Sequence, residues 1–247
     1  TVHAFSGNST NLFYGHSHED TCSLHIVGYG ENLLVNSGVN YNPRYPGKTP
    51  DGVPWRHAWL QNTVLIGDAR QHRATEGRGV TAGLVGGGIE LAQVDSGHAV
   101  AGGTHRRCLF FMHPEPGRAD GYFALLDEVI PDNPADLIRI NLHPNTASNL
   151  VTVAEGREYL CPANCFAQKN TDGTERLRVF LGTQPIRVNV KSCYHGRHGD
   201  SRAAQYLELV HRAEAGGRLQ ATTILFPEDA EHGGTQFERV QGAGCRG

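Results

Sequence analysis

The chain has 247 residues, 38% hydrophobic and 19% charged, with a formal net charge of −3. That length and apolar content support a packed core and exclude a mainly disordered chain. The balance of charge offers no basic surface for nucleic acid, and no apolar run approaches a membrane span, so neither partner is expected.

Glycine accounts for 31 residues, which favours many tight turns and hence a multi-stranded β protein. Short apolar runs bounded by Gly, Pro or Asp recur at 22–28, 31–37, 61–67, 87–94, 106–113 and 121–130. They continue at 137–143, 150–156, 176–182, 186–192, 205–212 and 218–226. Many alternate with period two, the mark of strands with one buried face. No segment has helical periodicity over three turns, which argues against a parallel α/β fold. The expected fold is all-β, a large antiparallel β-sandwich with few or no helices, in one domain over residues 1–247.

Two stretches break this rhythm. Residues 41–60 carry several prolines and aromatics and read as a long irregular loop. Residues 228–247 read as a polar, Gly-rich tail. No signal peptide is expected in this stretch, and the start at Thr1 rather than Met is expected of a processed product or an excerpt of a longer protein. The six cysteines include Cys161 and Cys165 in CPANC, without the second pair that a zinc knuckle needs. Ordinary buried thiols are the expectation for most of them.

The chemistry-bearing stretch is GHSHEDTCS, residues 15–23. In an extended strand His16, His18, Asp20 and Cys22 share one face, and the two imidazoles stand about 7 Å apart. One histidine can then ligate a metal while the other acts as acid or base. Asp20 can accept an imidazole N–H and fix its tautomer. The alternative is a hydrogen-bonded histidine pair at a strand edge.

The order of several motifs resembles that of the heparinase II/III-like polysaccharide lyases. His16, His18, Asp20 and Ser23 match an H-x-H-x-D-x-x-S run. Leu34, Val35 and Gly38 match an L-V-D-x-G strand end, with Asn36 at the acidic position. Asn62, Thr63, Val64 and Gln71 match an H-N-T-V…Q stretch, with Gln61 at the histidine, and Asp127 falls on a later strand that carries an aspartate.

The resemblance implies the C-terminal β-sandwich of a two-domain lyase whose helical (α/α) toroid lies elsewhere in the same protein. It implies an acidic polysaccharide, of glycosaminoglycan or alginate type, cleaved by β-elimination, and a secreted or periplasmic location. His16 and, through its place after the second strand, Tyr41 would be the catalytic residues of this part. The metal set would be His18, Asn36 and Gln61, with Asp20 behind it. Two of those three are amides, poor zinc donors, so the cofactor expectation is none or Zn²⁺. Either the amides form a metal-free hydrogen-bond network, or His57 or His72 replaces a ligand.

Residues 41–78 interleave cations and aromatics. Arg44, Trp55, Arg56, His57 and Arg70 are candidates for a rim that binds carboxylates or sulfates and sugar rings. HGRHGD, residues 195–200, offers His195, Arg197 and His198 as a second polar cluster, against the reading as a turn between strands that its Gly and Asp favour. Two other functions fit parts of this pattern. One is a cupin-like metal enzyme, whose H-x-H motif wants a glutamate where Cys22 and Ser23 stand. The other is a non-catalytic carbohydrate-binding or packing module.

Overall fold

The computed structural model describes residues 2–4, 18–37, 47–71, 79–115, 120–168, 174–197 and 199–233. His16, Tyr41, Arg44 and His72 lie outside the described residues. The first strands are β1 Val2–Ala4, β2 Leu24–Gly28, β3 Glu31–Leu34, β4 Val64–Ile66 and β5 Gly79–Gly86. Next come β6 Ile89–Asp95, β7 Gly103–Met112, β8 Tyr122–Pro131, β9 Ile138–Leu142 and β10 Val151–Ala154. The last are β11 Glu158–Pro162, β12 Arg176–Leu181, β13 Arg187–Arg197, β14 Asp200–His211 and β15 Leu219–Glu228. Among the described residues the helical content is one 3₁₀ turn, Ala58–Leu60, within the segment expected to be irregular. The chain is therefore all-β, as its alternation predicts.

Every strand pairing is antiparallel. The strands form an eight-stranded sheet in the order β10-β11-β12-β15-β8-β7-β6-β5, a four-stranded sheet β13-β14-β9-β4 and a three-stranded sheet β1-β2-β3. One hydrophobic core draws on all three: Leu24 and Leu33 from the small sheet, Ile140 and Leu207 from the four-stranded sheet, Leu125 and Leu225 from the large one. Each such fully buried side chain contributes about 1.5–3 kcal/mol. β8 alternates strictly, with Phe123, Leu125, Asp127 and Val129 inward. Asp127 thus puts a carboxylate on the core face, a placement that demands a partner.

The hairpin between β2 and β3 turns on Tyr29 and Gly30, both at positive φ (51° and 82°). Two such residues are what a tight, right-twisted hairpin requires. β1, β5 and β11 have no counterpart among the expected strands: β1 is three residues long, β5 reads GVTAGLVG and β11 ends in Pro162. At the C-terminal side β15 reaches Glu228, which is fully buried and bonded to Arg176 and Arg178. The expected tail therefore begins one residue later. HGRHGD also differs from expectation, because His195 and Arg197 belong to β13 and Asp200 opens β14. Cys22, Cys108, Cys161, Cys165 and Cys193 are free thiols, all but Cys108 buried.

Candidate functional site

The matched motifs converge on one place. The chain turns at Asp20–Ser23, closed by a 2.9 Å hydrogen bond from the Ser23 N–H to the Asp20 carbonyl. Cys22 takes a left-handed conformation there (φ 57°), uncommon for a residue with a side chain and sustained only where the surroundings hold it. Arg107 does the holding: its Nη1 donates to the Cys22 carbonyl at 2.9 Å and to the Asn62 carbonyl at 2.6 Å. Gln71 accepts the Thr21 N–H at 3.0 Å and donates to Thr63 Oγ1 at 3.1 Å, while Thr63 Oγ1 donates to the Thr21 carbonyl. The Asn62 side chain donates to the Leu24 carbonyl at 2.9 Å and accepts the His143 N–H at 2.6 Å. Asn62, Thr63 and Gln71 therefore stitch residues 21–24, just after the H-x-H run, to the sandwich. Half-buried Asp20 sits at the turn, where burial pushes its carboxyl up to about 6.

The set His18, Asn36 and Gln61 does not fit a zinc ion. Asn36 Oδ1 accepts from Ser23 Oγ at 2.7 Å, from the Asn62 N–H at 3.0 Å and from Asn62 Nδ2 at 3.3 Å. Three donors occupy that oxygen as they would a carboxylate, leaving no lone pair for a cation. Gln61 donates to the Trp55 carbonyl at 3.0 Å, and its Oε1 is buried without a hydrogen-bond partner among the described residues. His18 is half-buried.

The aromatic and basic residues of the following segment divide. Trp55 is 1% exposed and packs with Leu60, Cys165, Ala204 and Tyr206. This corrects its assignment to a sugar-binding rim, because no face of its ring reaches solvent. Trp59, four residues further on, is 45% exposed. His57 is buried; its Nδ1 accepts the Trp59 N–H at 3.2 Å and caps the 3₁₀ turn, and its ring lies 4.5 Å from that of Trp59. Arg70 is half exposed and bonded to buried Glu19, which also accepts the Ala58 N–H at 3.2 Å. Arg56 is half-buried, and its carbonyl accepts the Glu19 N–H.

A second group of polar side chains lies beside this scaffold. His143, just after β9, donates Nε2–H to the Trp59 carbonyl at 2.9 Å, so its Nδ1 is the acceptor nitrogen. That Nδ1 faces Ser37 Oγ at 3.3 Å and Cys193 Sγ at 4.0 Å. Tyr206 stacks on the ring at 4.4 Å. Cys193 and His195, two apart on β13, point to the same side, and the donor atoms of His143, Cys193 and His195 all lie within 4.8 Å of one another. Burial lowers both imidazoles, His143 to about 3 and His195 to about 4, and pushes the Cys193 thiol up. The rings are thus neutral at pH 7. His195 also lines a cleft of about 450 Å³ with Asn36, Asn145, Gln168 and Arg197. C-x-H at 193–195 has the same face-sharing spacing as H-x-H. His143, fifty residues upstream of Cys193, is brought beside it by the pairing of β9 with β14 and of β14 with β13.

The family described as heparinase II/III-like, C-terminal, matches residues 4–232. No curated protein sequence matches. Among solved structures, heparan sulfate lyase HepC from Pedobacter heparinus superposes with a TM-score of 0.66 at 11% identity, over 89% of this chain and 32% of that one. A heparinase III with methylated lysines gives 0.67 at 15% identity over 92% and 32%, and a further heparinase III gives 0.62 at 16% over 90% and 32%. The chain spans about a third of the length of these structures, and at such identities the likeness shows the fold. The family match covers nearly the whole chain, which accordingly belongs to the heparinase II/III-like family as its C-terminal domain.

Proposed function

We propose that this chain is the β-sandwich part of a polysaccharide lyase that cleaves uronic-acid-containing glycans by β-elimination. The observation that carries the reading is the family match together with the convergence of its motifs on the scaffold of Asn62, Thr63, Gln71 and Arg107. That scaffold fixes the chain leaving the H-x-H segment, and a positioned imidazole is what proton transfer requires.

In such an elimination the proton at C5 is acidic because it lies beside a carboxylate. Cations or hydrogen-bond donors must neutralise that carboxylate as charge builds up. A base then takes the C5 proton and an acid protonates the leaving glycosidic oxygen. His16 and Tyr41 are the proposed contributions of this domain to the acid–base set. Arg44, Arg56 and Arg70 are the proposed anion-binding side chains, and Trp59 replaces Trp55 as the proposed aromatic platform. The remaining groups come from a helical domain of the same protein, and the proposed location is secreted or periplasmic. Among the described residues no helix is long and apolar enough to cross a membrane. No step runs through a metal at His18, Asn36 and Gln61.

The test is turnover of heparan sulfate-type and alginate-type chains by the whole protein, followed by the ultraviolet absorbance of unsaturated uronates. Product that disappears in a folded His16→Ala variant supports the reading. A folded protein that binds these glycans and forms no unsaturated product is a carbohydrate-binding module instead.

A further inference from the structure

We propose that His143, Cys193 and His195 form a metal site that takes a zinc ion or a chemically similar divalent transition cation. The site is distinct from the His18, Asn36 and Gln61 set and does not depend on the lyase reading. Two neutral imidazoles and a thiol are donors that zinc prefers, and three protein ligands with a fourth position left over is a common zinc arrangement.

The geometry has three parts. First, the donor atoms lie within 4.8 Å of one another, with His143 Nδ1 at 4.0 Å from Cys193 Sγ. Around a tetrahedral zinc, neighbouring nitrogen and sulfur donors stand about 3.5 Å apart. Small side-chain rotations therefore close the triangle. Second, His143 is held as a metal-ligating histidine is held, its Nε2–H given to the Trp59 carbonyl so that Nδ1 is aimed at the site. Third, His195 is 2% exposed, and neither of its ring nitrogens has a hydrogen-bond partner among the described residues. An ordinary core histidine satisfies its ring nitrogens, since leaving them dry and unpaired is costly. A cation at the triangle takes one of those nitrogens and gives this burial a purpose. His195 is the member of the three that lines the neighbouring cleft, so a cation would enter past its ring.

Binding releases the thiol proton, because zinc holds cysteine as the thiolate. The bond formed is zinc–sulfur, the bond broken is S–H, and the proton leaves to solvent. The Nε2–H of His143 stays in place.

The experiment is titration of the metal-stripped, purified protein with Zn²⁺ and, as an optical probe, Co²⁺. Uptake is read by elemental analysis and by the thiolate-to-cobalt charge-transfer band. Expected are one metal per chain, a band that is absent in Cys193→Ser, and zinc binding weakened at least tenfold in both Cys193→Ser and His195→Gln. Circular dichroism of each variant confirms that it is folded, and His195→Gln keeps the test open if Cys193→Ser is not. His18→Ala is expected to bind like the parent. The proposal is overturned if the folded parent takes up no stoichiometric metal. It is equally overturned if uptake survives undiminished in both variants, or is lost in His18→Ala alone.

Discussion

Arg107 and Asp127 stand directly opposite each other on β7 and β8, with Nε to Oδ1 at 2.7 Å and Nη2 to Oδ2 at 3.2 Å. Each is 1% exposed. His105, two residues before Arg107 on the same strand face, adds an Nε2 contact of 2.6 Å to the same carboxylate. Burial works against the Asp127 charge, but Arg107 and His105 outweigh it and hold the carboxyl well below the usual range. The guanidinium edge not used by Asp127 grips the Cys22 and Asn62 carbonyls. The pair is thus the joint through which the large sheet positions the motif segments.

Removing one member leaves the other charged and dry, which costs about 3–5 kcal/mol. Arg107→Met is expected to lose that much in urea unfolding and to release the turn at Cys22. Replacing Arg107 by Met and Asp127 by Leu together is expected to lose clearly less than the sum of the single variants. Additive losses would show that the two residues act independently.

Asn36 makes a second, smaller test of the scaffold. Its Oδ1 serves Ser23 and Asn62 with three hydrogen bonds. Asn36→Leu strands buried donors and is expected to cost about 1–3 kcal/mol. Asn36→Asp keeps the acceptor and is expected to stay close to the parent at neutral pH. If both substitutions destabilise equally, the oxygen is not what the site uses.

Much of this was legible in the sequence, for identifiable reasons. The period-two runs marked most strands because burial of one face writes itself into the chain. The Asn62–Thr63–Gln71 and Asp127 motifs were visible as residues, whereas their roles were not, because their partners Thr21, Leu24 and Arg107 lie 20 to 50 positions away. Nothing local tells Arg106 from Arg107. The register of β7 on β8 turns Arg107 inward and leaves Arg106 exposed. Trp55 and Trp59 are equally ambiguous in sequence until the 3₁₀ turn separates them. β5 was hidden by glycines that carry no alternation. His195 was visible as one of a polar cluster, but neighbours with turn chemistry concealed its place on β13 beside Cys193.

His211 gives the fold an acid limit. It is 4% exposed, and burial lowers it to about 4 against the opposing pull of Asp127. In the unfolded chain an imidazole titrates near its ordinary value of 6.5. Below that value the unfolded chain binds a proton that the folded chain refuses, so stability is complete above it and falls as pH drops towards the folded value. The loss from this residue is on the order of 3 kcal/mol. His143 and His195 act in the same sense, so His211→Gln is expected to reduce the fall in urea midpoint between pH 6.5 and pH 4 rather than abolish it. An undiminished fall in the variant would clear His211 of this role.

The two tryptophans separate stability from binding. Trp55 fills the cluster with Leu60, Cys165 and Tyr206, and Trp55→Ala is expected to cost about 3–5 kcal/mol in unfolding. Trp59 meets solvent with its ring steadied by His57, and Trp59→Ala is expected to change stability by no more than about 0.5 kcal/mol. If this segment forms the sugar-binding rim, Trp59→Ala should weaken binding of a heparan sulfate-type oligosaccharide by about five- to tenfold, or about 1–1.4 kcal/mol. Calorimetric titration of the parent and both variants decides the matter. An unchanged affinity in Trp59→Ala would move the rim away from this segment, since buried Trp55 has no face to offer a sugar.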